Sequence, residues 1–496
     1  MFRFAQHSLL LAAVAAPCGL VQAAQIDVSD VAGLRAAATS ASQGTVIQLA
    51  AGVYELDSSL RVNSGVTLRG AGQGQTVLQG AAGWQADFSG FIDDGTNFTF
   101  ADPGSYLIDL GRDQSGHTIE NLSLRGPQLH GGIFGVAHSG LTVNNVEVGD
   151  FGWSGVRLFV AQDATFTNNR FVDSGGRSEG GVTGGGINGA FLTRTLIKDN
   201  VFEDTRTGSG ETYYGIKGRG FRDSRITENS IYTNFAIELP FDDDYRVEID
   251  GNYLDGVVSV PRFNGGDLEV PGGGETFLIR NNYFTTSYAI EGPRNNVVVE
   301  QNLFDFDADD NGGNLVSIFG NEAQTTIAGP FTFADNLVSN PGRGVFWSDV
   351  PHDDISILRN HIRADETDPN PLAEGFFGFR VAQADGDATD FSTILIADNI
   401  IEVLSDDPEY GRDLLRNDAS GAATIENNQL INVSDLDRYV NRLTGDPFGP
   451  SAPLRFVVGA DGEEFLVEGF SISRVPEPAT AATLFVGGLA LLRRRR

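Results

Sequence analysis

A short pattern recurs along the chain, in which an apolar residue is followed by two mostly polar residues and then an asparagine. It occurs at Phe166/Asn169, Ile197/Asn200, Ile226/Asn229, Ile249/Asn252, Ile279/Asn282, Val299/Asn302, Phe333/Asn336, Ile357/Asn360, Ile396/Asn399 and Ile425/Asn428, with shorter forms at Ile119/Asn121 and Val143/Asn145. Most of these asparagines follow one another at intervals of 20 to 34 residues. A repeat of this length indicates a solenoid, in which each repeat forms one coil of a continuous stack.

A second pattern lies between the asparagine patterns and consists of a small residue, an apolar residue and a variable residue. Its members are Gly132-Ile-Phe134, Gly155-Val-Arg157, Gly186-Ile-Asn188, Gly215-Ile-Lys217, Ala236-Ile-Glu238, Val257-Val-Ser259, Ala289-Ile-Glu291, Leu315-Val-Ser317 and Gly344-Val-Phe346. Two short strands per repeat predict an all-β fold, a single-stranded right-handed parallel β-helix of about twelve coils. A short helix from Val31 to Thr39 is expected to cover its N-terminal end. A β-propeller is the structural alternative, although its blades need four strands each at a steadier period.

The asparagines have a physical reason to recur in such a stack. Equivalent residues of adjacent coils lie about 4.8 Å apart, so aligned amide side chains can hydrogen-bond from coil to coil. Asparagine also tolerates the left-handed backbone that a tight bend requires. We therefore expect the asparagines to form a column at the bends between strands.

Alternation along each strand predicts which side chains face outward. If the apolar residue of the second pattern points into the core, the variable residue after it points to solvent, and adjacent coils place these residues in one column. In chain order the column is Phe134, Arg157, Asn188, Lys217, Glu238, Ser259, Glu291, Ser317 and Phe346. Its middle is polar and its ends are apolar, so the middle coils are the candidate functional site.

Lys217 lies in the middle of this column and is one of only two lysines, the other being Lys198. Unlike arginine, lysine can release its proton when its surroundings favour the neutral form, which makes Lys217 a candidate base. A GC-rich genome that encodes arginine by default would also leave two lysines by chance. No histidine occurs between Ser139 and Pro351, so a base in the middle coils must be a lysine, a tyrosine or a carboxylate.

The two ends of the chain carry targeting signals. Residues 1–24 combine Arg3, an apolar run and a small-residue cleavage site, and they contain the single cysteine, Cys18. Residues 471–496 contain Val475-Pro-Glu-Pro478, an apolar run and four terminal arginines, and this order of parts resembles the PEP-CTERM sorting signal of Gram-negative bacteria. The resemblance implies an exported protein that is anchored transiently in the membrane, processed by an exosortase-type sorting protease, and left at the cell surface or released. A plain tail anchor is the alternative, and residues 25–470 form the β-helix domain in either case.

The formal net charge of −32 restricts the partners. Such an acidic exterior disfavours nucleic acid and anionic membrane surfaces, so no nucleic acid partner is expected. An anionic polysaccharide would have to be met by local cations instead of the overall field. We expect a monomer without an organic cofactor.

An exported β-helix with a capping helix, asparagine bends and a Lys/Arg/carboxylate cluster on one face of its middle coils resembles the β-helical polysaccharide lyases, namely alginate lyases and chondroitinase-B-like enzymes. The family places an acidic residue a few positions before its catalytic lysine, and Glu211 precedes Lys217 by six; the serine that usually follows that lysine is replaced by Gly218. The resemblance implies β-elimination on a uronic acid, with alginate as the first substrate to consider. A base removes the C5 proton while a cation neutralises the adjacent carboxylate.

The resemblance also implies roles for individual residues. Lys217 would be the base, with its pKa lowered by Arg219, Arg222 or a calcium ion, and Tyr214 or Arg262 would assist protonation of the leaving oxygen. Calcium is the one metal expected, with oxygen ligands from Glu238, Asp243 and Asp244, although an acidic run such as Asp242 to Asp244 is also common in a solvated loop. The expected substrate-binding residues are Asn188, Arg157, Tyr213, Arg219, Arg222, Tyr245 and Asn264.

The tyrosines divide into two groups by position. Tyr213 and Tyr214 precede a strand and are expected to be exposed, where they could stack on sugar rings. Tyr232, Tyr253 and Tyr283 follow the asparagine pattern and are expected to pack in the core.

Other functions remain open on the sequence. A β-helical glycoside hydrolase would use Glu238 with Asp243 or Asp244 as a carboxylate pair, but the polygalacturonase signatures are missing. A C5-epimerase is suggested by Asp349-Val-Pro-His352-Asp353, which resembles the Asp-Pro-His motif of mannuronan epimerases with an inserted valine. A non-catalytic surface β-helix that binds exopolysaccharide is the alternative outside enzymes.

Overall fold

The chain folds into one stack of parallel coils. The structure is a computed structural model and describes residues 23–84, 103–175, 184–206, 213–239, 244–260, 275–286, 288–292, 296–306, 313–318, 330–341, 344–348, 354–365, 377–379, 393–404, 415–417, 423–432 and 470–473. Every named strand pairing is parallel, and each strand pairs with the equivalent strand one coil away. The predicted parallel β-helix is therefore confirmed.

The strands stack into three faces. The first face precedes the asparagines and contains the strands Gln25–Val28, Val46–Leu49, Thr67–Arg69, Thr165–Thr167, Leu196–Lys198, Arg222–Thr227, Tyr245–Asp250, Phe277–Arg280, Val297–Glu300, Phe331–Ala334, Asp354–Leu358, Thr393–Ala397 and Ala423–Glu426. The second face follows the asparagines and contains Gly52–Leu56, Thr76–Gly80, Arg170–Val172, Val201–Glu203, Tyr283–Phe284, Leu303–Asp305, Leu337–Ser339, His361–Asp365, Ile400–Leu404, Asn428–Asn432 and Phe470–Ser473.

The third face carries the second sequence pattern. It contains Leu60–Arg61, Tyr106–Arg112, Gly131–Val136, Ser154–Gln162, Gly185–Thr193, Tyr214–Arg219, Ile290–Glu291, Asn314–Ile318, Gly344–Ser348, Phe377–Phe379 and Leu415–Asn417. Four long strands continue from one face to the next: Thr118–Arg125 and Thr142–Gly149 join the first face to the second, and Ser230–Glu238 and Tyr253–Ser259 join the second to the third.

The core follows from the two patterns. The apolar residues before the asparagines, such as Phe166 and Ile226, are fully buried, and so are the apolar residues of the second pattern, such as Ile216. The small residue of that pattern also points inward: a Cβ on Gly215 would lie 2.7 Å from both Ala236 O and Ile231 Cγ2. The third-face strands enter the stack at this corner, where two consecutive residues face the core, and at Gly215 the first position has room only for a small residue.

The asparagines form one buried ladder between the first and second faces. Its described members are Asn169, Asn200, Asn229, Asn252, Asn282, Asn302, Asn336, Asn360, Asn399 and Asn428. At each step both the side-chain amide and the backbone N–H of one asparagine donate to Oδ1 of the next; for Asn229 and Asn252 both distances are 2.9 Å. The predicted coil-to-coil hydrogen bonding is confirmed.

The expectation that these asparagines adopt the left-handed backbone is wrong for the ladder. The positive φ lies one residue earlier, for example at Asp199 (φ 56°) and Gln301 (φ 57°). Of the predicted asparagines only Asn121 and Asn145 have positive φ themselves, and they occupy that earlier position, since it is Val146 whose N–H donates to Asn169 Oδ1. One left-handed residue makes the bend, and the asparagine after it can then point its amide along the stack.

A helix packs at the N-terminal end of the stack, as predicted. It spans Val31–Ser40 and buries Leu34, Ala37 and Ala38 against the first strands. Asp30 caps it, because its carboxylate accepts a 2.7 Å hydrogen bond from Gly33 N. No helix among the described residues is long and apolar enough to cross a membrane.

The predicted export signal and sorting motif lie almost wholly outside the described residues. At the C-terminal side, the strand Phe470–Ser473 pairs with Asn428–Asn432 and so belongs to the stack.

Candidate functional site

The predicted outward column exists on the third face. Strand register aligns Phe134 with Arg157, and then Asn188, Lys217, Glu238, Ser259, Glu291 and Ser317 in succession. Its last predicted member is wrong: Ser317 aligns with Trp347, while Phe346 aligns with Val316 and is fully buried. In this coil Val345 takes the position of the small residue, so the sequence pattern begins one residue later than predicted.

Lys217 lies at the centre of this column in contact with two groups. Its Nζ is 2.6 Å from Glu238 Oε2, and the two side chains are 22% and 15% exposed. The same Nζ lies 3.9 Å from the centroid of the Tyr214 ring, which stacks on Phe235 at 5.0 Å. A carboxylate and an aromatic face both attract an ammonium group, so Lys217 and Glu238 form an ion pair beside the Tyr214 ring.

The two arginines expected to act on Lys217 contact aromatic rings. The Arg219 guanidinium lies 5.2 Å from the Phe191 ring, and that of Arg222 lies 5.4 Å from the Tyr245 ring. Arg219 faces outward two residues after Lys217 on the same strand, whereas Arg222 begins the next first-face strand, beside Tyr245. The ion pair described for Lys217 is the one with the Glu238 carboxylate.

Arg157 and Asn188 are in the column but are buried. Arg157 Nη1 donates a hydrogen bond to Asn188 Oδ1, and the guanidinium packs over Trp153 and Phe159, at 4.4 and 4.2 Å from their ring centroids. These rings belong to a second apolar cluster on the outer side of the third face, made of Tyr106, Phe134, Val136, Trp153, Phe159 and Ala190. Because this cluster covers the outer side of the early coils, the two residues do not lie on an open surface as expected.

Glu291 is the second carboxylate of the column, and sequence reasoning gave it no role. The hydroxyls of Ser259 and Tyr288 hydrogen-bond to it. Burial raises the pKa of Glu291 above its ordinary value and the negative charge of Glu238 adds to this, while the two hydrogen bonds act in the opposite direction. Its position two coils after Glu238 in the same column was the signal that could have identified it.

Both predictions about the tyrosines are corrected. Tyr213 and Tyr214 are both buried, so neither ring offers an open face to a sugar. Burial also raises the pKa of the Tyr213 hydroxyl. Tyr232, Tyr253 and Tyr283 lie on the outside of the second face instead of in the core, with neighbouring ring centroids 5.1 and 5.4 Å apart. The reason is strand alternation: Ile231, Leu254 and Phe284 fill the core, so the residues beside them face outward.

The predicted calcium site is only partly described. Asp244 is buried, and its Oδ1 accepts a 2.6 Å hydrogen bond from Phe221 N, just before the strand Arg222–Thr227 of the preceding coil. No group of three His, Cys, Asp or Glu side chains suited to a metal occurs among the described residues. Asp243, Arg262 and Asn264 lie outside those residues, as do Glu211 and His352. Calcium binding and the role of Arg262 stay predictions.

Comparison with known proteins agrees with the fold. A family model described as right handed beta helix region matches residues 131–329. The chain is a right-handed parallel β-helix. None of the curated protein sequences matches it.

Solved β-helical structures similar to the chain have varied roles. One is a PL6 alginate lyase in complex with a trisaccharide (14% identity, 92% of this chain and 97% of that chain, TM-score 0.46). Another is the catalytic domain of a GH87 alpha-1,3-glucanase in complex with nigerose (14% identity, 93% of this chain and 70% of that chain, TM-score 0.40). A third is PfbA, a surface adhesin of Streptococcus pneumoniae (14% identity, 82% of this chain and 86% of that chain, TM-score 0.36). Similarities this low support neither a substrate nor a mechanism for this chain.

Proposed function

We propose that this β-helix binds a uronate-containing polysaccharide along its third face and cleaves it by β-elimination, with alginate as the first substrate to test. The observation that supports this is the Lys217–Glu238 pair in the outward column. Elimination next to a carboxylate needs a cation to neutralise that carboxylate and a base to take the C5 proton. The pair supplies a cation and a carboxylate base side by side, with Lys217 Nζ 2.6 Å from Glu238 Oε2.

The observed contacts suggest a division of roles that differs from the sequence-based one. As the ammonium half of the ion pair, Lys217 is suited to neutralise the substrate carboxylate and the negative charge that develops on it. As the carboxylate half, Glu238 is suited to accept the C5 proton. Lys217 could act as the base only after passing its own proton to another group, and Glu238 is the acceptor in contact with it.

The test begins with purified protein and alginate, pectate or chondroitin. A lyase forms an unsaturated sugar that absorbs in the ultraviolet, a hydrolase forms new reducing ends without that absorbance, and a binding protein forms neither. For a lyase, we expect Lys217→Ala to lower kcat by about 10²–10³-fold, as removal of one charge-stabilising group does.

The other lysine provides a matched control. Lys198 lies on the first face, where its Nζ is 3.1 Å from Glu228 Oε1, so Lys198→Ala should leave activity unchanged. Lys217→Arg separates the two roles: as a cation, arginine should restore part of the lost activity, whereas a base cannot be replaced by a group that stays protonated. Full activity of Lys217→Ala would refute the proposed site.

Hydrolysis is the second candidate because the column contains two carboxyl groups. Glu238 and Glu291 are separated by two coil steps, roughly 9.6 Å along the stack at about 4.8 Å per coil. This backbone spacing is close to the upper limit of the roughly 6.5–9.5 Å that inverting glycosidases keep between their two carboxyl groups. The predicted partners Asp243 and Asp244 are not needed for this pair, and the reducing-end assay distinguishes the two reactions.

A further inference from the structure

Glu291 shares one row of side chains with the Lys217–Glu238 pair. Backbone register runs from Lys217 to Glu238, Ser259 and Glu291 with one residue per coil. A single short serine therefore separates the two carboxyl groups along the row. A sugar chain lying over Ser259 would have Glu238 on one side and Glu291 on the other.

The two carboxyl groups have opposite surroundings. Glu238 forms an ion pair with the ammonium group of Lys217, with Nζ 2.6 Å from Oε2. The groups that the structure places around Glu291 are the hydroxyls of Ser259 and Tyr288, the side chain of Ser317 in the next coil, and the negative charge of Glu238 beyond the serine. Partial burial and a neighbouring anion both favour the protonated carboxylic acid, as the raised pKa of Glu291 reflects.

We propose that Glu291 is the proton donor to the leaving oxygen, with Glu238 as the base of the same reaction; this proposal rests on the proposed function. In the elimination, the C5 proton passes to Glu238 and the C5–H electron pair forms the C4–C5 double bond. The C4–O4 bond breaks, and O4 takes its electron pair together with the proton of Glu291. Afterwards Glu238 is protonated and Glu291 is ionised, and exchange of one proton with solvent restores both.

The variant Glu291→Gln tests this assignment. Glutamine keeps the size of the side chain and can still accept from Ser259 and Tyr288, but it cannot donate an acidic proton. We expect kcat on the polymer to fall by about 10²–10⁴-fold, the usual contribution of a general acid. On a uronate whose O4 carries a nitrophenyl group, the loss should be less than about tenfold, because that leaving group departs without protonation.

The control variant is Glu300→Gln. Glu300 ends the first-face strand Val297–Glu300, which directly follows Glu291 along the chain. The substitution therefore removes a carboxylate from another face and should leave both rates unchanged. Thermal unfolding and polymer binding of Glu291→Gln should match the wild-type protein, which excludes a folding or binding defect.

The outcomes separate the two proposals. If the wild-type protein forms unsaturated product and Glu291→Gln cleaves the polymer normally, the role of Glu291 is wrong and the lyase stands. If Glu291→Gln is equally slow on both substrates, Glu291 is not the proton donor. If the wild-type protein forms only new reducing ends and Glu291→Gln abolishes them, Glu291 is supported as the acid while elimination is refuted. If the wild-type protein cleaves none of the polymers, both proposals are overturned.

Discussion

Asn252→Asp is the sharpest test of the asparagine ladder, because the two side chains have nearly the same shape. In the wild-type protein Asn252 Oδ1 accepts from both the backbone and the side chain of Asn229. Its Nδ2 donates to Ile226 O at 2.9 Å, Asp250 O at 3.3 Å and Asn282 Oδ1 at 2.9 Å. Aspartate keeps the two acceptor bonds, but it turns an oxygen towards three other oxygens.

The expected cost follows from those contacts. A buried acceptor left without its donor costs about 1–3 kcal/mol, and forcing the carboxyl to be neutral at pH 7 costs about 1.4 kcal/mol for each unit by which its pKa rises. Together these predict a loss of roughly 3–5 kcal/mol in the free energy of unfolding, a large part of the 5–15 kcal/mol typical of a domain. The loss should shrink at acidic pH, because a carboxyl with a raised folded pKa is no longer penalised once the unfolded chain is protonated too.

Denaturant unfolding of Asn252→Asp and of Asn234→Asp at neutral and acidic pH provides the assay. Asn234 is exposed, so the same substitution there should change the free energy of unfolding by no more than about 0.5 kcal/mol. If both variants unfold at the same denaturant concentration, the ladder does not contribute the stability inferred from its hydrogen bonds.

Two further predictions concern other parts of the stack. The side chains of His117 and His138 are buried with Nδ1 and Nε2 2.7 Å apart, and burial lowers the pKa of His138 to about 4. The contribution of His138 to the free energy of unfolding should therefore be complete above about pH 6.5 and fall by about 3 kcal/mol as the pH drops to 4. Denaturant unfolding of His138→Gln should show a pH dependence weaker by that amount, and an unchanged dependence would contradict the reasoning. Gly215→Ala should destabilise the fold by about 1–3 kcal/mol, since the new Cβ would meet Ile231 and a backbone oxygen at 2.7 Å, whereas Gly83→Ala, with open space around it, should leave the melting temperature unchanged.

The chain order of apolar and polar residues was enough to predict the β-helix, the N-terminal helix, the coil-to-coil asparagine bonds and most of the outward column. These features depend on short-range rules: alternation within a strand, and the repetition of one coil on the next. Lys217 was therefore placed correctly between Asn188 and Glu238 by counting along the pattern. In the last coil of the column Gly344 precedes the pattern instead of opening it, so the same counting failed by one position.

Burial and charge pairing were decided only by the tertiary structure. Arg157 is covered because Trp153 and Phe159 pack over its guanidinium. Glu291 differs from Glu238 because, among the described contacts, the Lys217 ammonium group pairs with Glu238, whereas Glu291 faces hydroxyl groups and the charge of Glu238. Such differences arise between side chains of adjacent coils and from the path of the segments that connect them. The sequence repeats the coil but not those segments, so it determines which residues share a row and leaves their exposure and protonation to the packing around that row.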